Sequence, residues 1–168
     1  VENRGTGVDT FRLTPSSVPS GWTVELEETL VTLDSKHTPD RKETVDVTVT
    51  LPDDALATEV VTIDLSVAPN SGGEAYDDVT LSVSVAEVHG FEADSTALTQ
   101  TGKNGNEVKF PFEIENTGNV EDNFRLSVIQ QTASPSWSYY FEDEAGNRFT
   151  EVSVNARETD QLFFVATV

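Results

Sequence analysis

The phrase VENRGTGVDTFRL fills residues 1–13, and IENTGNVEDNFRL fills residues 114–126. Val1 aligns with Ile114, Asn3 with Asn116, Gly5 with Gly118, Asp9 with Asp122, and Phe11-Arg12-Leu13 with Phe124-Arg125-Leu126. The offset is a constant 113 positions, with no gap. Self-similarity at a fixed period marks a repeat architecture in which each copy is one structural unit. The 168 residues of the chain then divide into two units, since domains of roughly 100–150 residues are typical.

The correspondence runs on past the opening phrase. Trp22 follows VPSG and Trp137 follows SPS, and behind them Val24 and Leu26 match Tyr139 and Phe141. Val31-Thr32-Leu33 matches Val152-Ser153-Val154 after a longer acidic hairpin, EDEAGNRF, in the second copy. RKETVDVTVTL then parallels ARETDQLFFVATV. The reading sets one unit at residues 1–87 and the other at 88–168. The first begins at the shared phrase, without the two strands that precede it in the second. The second stops where the first continues through two further strands, near 58–67 and 78–87. A window from a longer tandem array has this form, and so do sandwiches completed by strands from neighbouring subunits.

Strict alternation sets the fold class. Val45, Val47, Val49 and Leu51 share one face, as do Val61, Ile63, Leu65 and Val67, and again Val79, Leu81, Val83 and Val85. A period of two, rich in Val and Thr, predicts half-buried antiparallel strands. Phe110, Phe112 and Ile114 continue it, while Pro111 cannot donate to a ladder and so predicts an edge or a bulge. No apolar spacing of 3.6 persists long enough for a helix. Turn residues between the runs, such as Pro52-Asp53-Asp54, Asn70-Ser71-Gly72-Gly73 and Gly146-Asn147, fall at the intervals of a sandwich. The expected class is all-β, as tandem immunoglobulin-like antiparallel sandwiches.

Charge narrows the partners. Thirty Asp and Glu against ten Lys and Arg leave a net charge of −20, and such a surface repels phosphate backbones, which argues against nucleic acid. The acidity fits a solvated exterior in high salt, or a surface that collects divalent cations. With no Cys, disulfides and thiol chemistry are out. No apolar run is long enough to span a bilayer. No apolar segment follows Val1-Glu2-Asn3-Arg4 and the chain has no Met, so a mature or excised segment is expected.

The pattern of Asn-x-Gly, Asp-x-Phe, Gly-Trp and a strand closed by Pro (Asn3, Gly5, Phe11, Trp22 and Pro52; Asn116, Gly118, Phe124 and Trp137) resembles the CARDB-like, cell-adhesion-related repeats of archaeal and bacterial surface proteins. The second copy departs from it in lacking the Gly before Trp137 and in ending before its Pro. The resemblance implies an extracellular stalk, adhesive or assembly role without catalysis. The corresponding expectation is a cell-surface filament or S-layer-like lattice of self-associating copies. A carbohydrate- or protein-binding accessory module of a larger secreted protein is the alternative.

Candidate sites are few. His37 and His89 stand in loops, with no nucleophile arranged beside them, so no catalytic residue is assigned. Calcium takes several oxygen ligands, and the candidates are Asp53-Asp54, Asp77-Asp78, Glu121-Asp122 and Glu142-Asp143-Glu144, with Glu87, Glu92 and Asp94 near the junction of the copies. A solvated acidic face is the competing reading, and no EF-hand motif is present. Gly5 and Gly118 are expected to supply positive φ at a turn, with Asn and Asp side chains tying the backbone nearby. The two Trp are expected in the core or at its rim, and Tyr140 is the expected outward-facing sticky residue. No Asn-x-Ser/Thr sequon occurs.

Overall fold

Alternating β-branched residues shield one face of a strand and leave the other polar, so they favour antiparallel sheets packed in two layers. The computed structural model describes residues 1–72, 77–129 and 137–168, and there the chain is all-β. Gly73 and the Ser134-Pro135-Ser136 turn lie outside the described residues. The one helical element among the described residues is a 3-10 turn, Pro39–Arg41.

Contacts divide the chain into two compact units, Val1–Val85 and Ala86–Val168. The first contains β1 (Asp9–Ser16), β2 (Thr23–Leu26), β3 (Leu30–Leu33), β4 (Val47–Thr50), β5 (Val60–Pro69) and β6 (Asp77–Ser84). One sheet runs β3-β1-β5-β6 and the other pairs β2 with β4. The second unit contains β7 (Phe91–Asp94), β8 (Glu107–Asn116), β9 (Asp122–Arg125), β10 (Ser138–Asp143), β11 (Arg148–Phe149), β12 (Glu151–Val154) and β13 (Thr159–Thr167). Its sheets are β11-β10-β13-β8-β7 and β12-β9.

The repeat is visible in the pairing. Phe11 lies opposite Val31 where Phe124 lies opposite Val152. Leu26 lies opposite Val47 where Phe141 lies opposite Phe164. The isolated bridge Glu2–Lys42 stands where Glu115 pairs with Thr159. In each unit the two sheets meet in an apolar layer, so each is sandwich-like. Phe11, Leu13, Val31 and Leu33 pack with Leu26 and Val45 in the first. Ile114, Val154 and Leu162 pack with Phe112, Phe124 and Phe149 in the second. Each such side chain, taken fully from water, contributes about 1.5–3 kcal/mol.

Pro111 lies on β8, which β13 and β7 flank, but at a stretch that β7 does not reach, so one side of it is a local edge as expected. It faces Phe163 of β13, while β7 reaches β8 only from Glu113 to Asn116. Its carbonyl accepts the Ser95 hydroxyl at 2.8 Å on the β7 side. The position of its missing N–H is on that same side, where the ladder has already ended, so no ladder bond is lost.

Candidate functional site

A repeated phrase marks either a repeated ligand site or a repeated structural need, and hydrogen bonding separates the two. Asn3 follows the end of the strand-like opening segment, and its side chain is buried. Its Nδ2 donates to the carbonyls of Gly7 at 2.9 Å and Leu33 at 3.1 Å, and its Oδ1 accepts the Gly5 N–H at 2.8 Å. Asn116 closes β8 and does the same. Nδ2 donates to Val120 at 2.8 Å and Val154 at 2.9 Å, and Oδ1 accepts the Gly118 N–H at 2.9 Å. Each bracket ties a turn to the last residue of a strand in the opposite sheet. Three of the amide's capacities are filled by backbone, and a buried amide so satisfied has no group left aimed at a ligand.

The glycines of the phrase work differently from the sequence expectation. Positive φ occurs at Gly21, Gly72, Gly105 and Gly146, and at neither Gly5 nor Gly118. Close approach is the reason for glycine at both places. A Cβ on Gly5 would stand 3.0 Å from Asn3 Oδ1. On Gly118 it would stand 3.0 Å from Asn116 Oδ1 and 2.4 Å from the Val88 carbonyl. Asn119, which the sequence reading did not single out, holds that neighbouring segment. Its Oδ1 accepts the Val88 N–H at 2.7 Å and its Nδ2 donates to the Ala86 carbonyl at 2.9 Å. Residues 86–88 thereby belong to the second unit, whereas the sequence reading placed 86 and 87 in the first.

The acidic candidates are scattered among different tasks. Asp53 and Asp54 occupy the turn after β4. Asp77 and Asp78 open β6, where Asp78 accepts the Ser66 hydroxyl at 2.7 Å. Glu121 accepts the Ser153 hydroxyl. Asp122 lies 2.9 Å from His89 Nδ1, with Glu87 3.7 Å from Nε2 on the other side of the ring. Asp143 accepts both the side-chain amide and the backbone N–H of Asn147, and these bonds hold its carboxyl below the usual carboxylate range. Glu144 is exposed in the following turn. Among the described residues no three of these side chains gather into a group able to hold a metal ion.

Glu142 has a structural partner that no local spacing announces. It is buried on β10 and paired with Lys109, whose ammonium also stands 5.8 Å from the centre of the Phe163 ring. The hydrogen bond to Glu142 raises the pKa of Lys109 above its ordinary 10.5. Stability from this shift is present below 10.5 and is lost as pH rises through the raised value. Replacing Lys109 by Met should therefore lower the thermal midpoint of the second unit at neutral pH. It should also remove the part of the alkaline loss that this shift predicts for the unsubstituted chain, and a pH series of melting curves reads both effects.

Beside that pair, Tyr140 is covered and not outward-sticky as expected. The Arg148 guanidinium lies 3.6 Å from its ring centre, and its hydroxyl donates to Glu107 at 3.0 Å. Arginine stacking on an aromatic face combines cation–π attraction with apolar cover. Tyr139 is the more exposed of the two, at 50%. Trp22 is buried at 6%, while Trp137 is 53% exposed. In comparisons with known proteins, no protein-family model matches the chain, and no curated protein matches it.

Proposed function

We propose that this chain is a non-catalytic structural repeat protein of the cell exterior, building a stalk, filament or S-layer-like lattice from stacked immunoglobulin-like sandwiches of the CARDB-like kind. One observation carries the reading: the Asn, Gly and Phe residues repeated between the copies are committed to the fold. Asn3 and Asn116 bracket turns, and the phrase glycines make room for them. Phe11 and Phe124 pack in the cores. A protein selected for repeated architecture keeps such residues in every unit, because each unit must bury its own apolar layer. The net charge of −20 keeps many copies solvated at high local concentration.

The test is location together with mass. Antibodies against the chain should label the outside of intact source cells, and labelling seen only after permeabilisation would overturn the reading. Light scattering should give the same mass in calcium and in chelator. Growth restricted to calcium would instead assign the Asp53, Asp77, Asp122 and Asp143 groups a bridging role.

The accessory-module reading draws on Trp137 and Tyr139, which are exposed and two positions apart in extended chain, hence on one side of it. Exposed aromatics stack on sugar faces. Titration with oligosaccharides, followed through tryptophan fluorescence, should leave the emission unchanged if the structural reading holds. A saturable shift would favour the module.

A further inference from the structure

The two copies differ at one edge. In the first unit β1 has two neighbours, pairing with β3 over Asp9–Arg12 and with β5 over Phe11–Ser16. In the second unit β9 has a single partner among the described residues, β12. The strand is correspondingly shorter, four residues against eight. Beyond it the Leu126 N–H still reaches back to the Thr150 carbonyl at 2.9 Å on the β12 side, and residues 127–129 run on outside any ladder. An unpaired edge of this sort presents N–H and C=O groups ready to template another strand.

Further observations show what the edge lacks. Phe11 and Leu13 are buried, whereas their counterparts Phe124 and Leu126 are only half-buried. The Trp pair follows the same sense. A groove of about 580 Å³ opens between the continuation of β9 and β10, lined in part by Leu126, Val128, Tyr139, Phe141 and Phe149. In the first unit Ile63 and Leu65 of β5 supply buried aliphatic side chains beside β1. Finally, Arg12 donates to Asn70 at the turn after β5, at 2.7 Å. Its counterpart Arg125 has no such side-chain partner among the described residues.

We propose that the free edge of β9 and its continuation to Ile129 is a docking site for an antiparallel β-hairpin with the chemistry of β5–β6. Its inner strand alternates aliphatic with Ser, Thr or Asp residues. The register follows from the first unit. Phe124 faces the position of Pro69, Leu126 that of Val67, Val128 that of Leu65, and Ile129 that of Asp64. The aliphatic positions enter the groove, the backbone completes the ladder, and a polar residue at the position of Asn70 meets Arg125. The occupant is a hairpin and not a lone strand, because β5 is itself backed by β6 over Val60–Val67. This inference rests on the repeat-protein reading and names the partner that reading needs.

The test extends the full chain after Val168 with a second copy of residues 52–85. In the first unit this segment follows Leu51, the counterpart of Val168. Hydrogen exchange is read amide by amide, with the first-unit amides of β1 and β5 as the internal measure of folding. The Leu126 N–H is already bonded to Thr150 and amides alternate between the two sides of a strand, so the outward amides of Ser127 and Ile129 are the readout. Their exchange is expected to slow by about tenfold or more, and the emission of Trp137 to move to the blue. An extension with the same residues shuffled should change neither. If the native extension leaves Ser127 and Ile129 unprotected while the first unit stays folded, the proposal is wrong. If Ser127 and Ile129 become protected in the unextended chain as its concentration rises, while β1 and β5 keep their own protection, the edge pairs with some other strand of a second copy and the hairpin is again overturned. Neither readout depends on where the protein resides, so this failure is separable from failure of the functional reading.

Discussion

Replacing Asn116 by Ala is expected to lower the stability of the second unit by about 3–5 kcal/mol. The truncation removes both partners of Nδ2 and the acceptor for the Gly118 N–H. It leaves the Val120 and Val154 carbonyls and one N–H in a site where Asn116 itself is fully buried. A buried polar group without a partner costs about 1–3 kcal/mol, and water entering the vacated space offsets part of the sum. Denaturant unfolding with exchange read separately in each unit measures the effect. Asn3→Ala should produce the matching loss in the first unit and leave the second intact. A loss under about 1 kcal/mol at both positions would show that the bracket is dispensable to the fold and would reopen the phrase as a ligand site.

The next largest effect is expected at Gly118. Ala there places its Cβ against the Val88 carbonyl at 2.4 Å. That oxygen belongs to backbone whose flanking groups are tied to Asn119. Because the obstacle is backbone held by hydrogen bonds, it has little room to yield, and overpacking of this kind costs about 1–3 kcal/mol. Gly5→Ala meets only the Asn3 Oδ1 at 3.0 Å and should cost less. The difference between the two substitutions isolates the part played by residues 86–90. Equal losses, measured by the same unfolding and exchange experiments, would mean that this segment gives way and that the bracket oxygen alone excludes a side chain.

Alternation and repetition are local properties of the chain, and they carried the fold class and the matching of strands. Aligning the copies matched Val31 with Val152 and Phe11 with Phe124, and the structure adds that each Val lies opposite its Phe, a register that keeps both inside. The repeat also singled out Asn3 and Asn116, though not what each one binds. Their partners at Leu33 and Val154 lie 30 and 38 positions away, and only the packing of two sheets brings them near. The same distance hid the pairing of Glu142 with Lys109, since a run of three acids reads as a solvated hairpin until one of them turns inward.

Two expectations failed for the same physical reason. Gly118 looks like a turn glycine from its neighbours in sequence, yet it is required by the Val88 carbonyl arriving from another segment. Tyr140 alternates to the outer face as predicted, but Arg148 from the adjacent strand covers it. Read alone, the chain already shows that it is all-β, that it contains one motif twice, and which residues that motif keeps. Why they are kept, and which edge of the second copy has no partner strand among the described residues, came from the packing. Burial and steric exclusion are set by atoms far apart along the chain, and no local pattern encodes where those atoms meet.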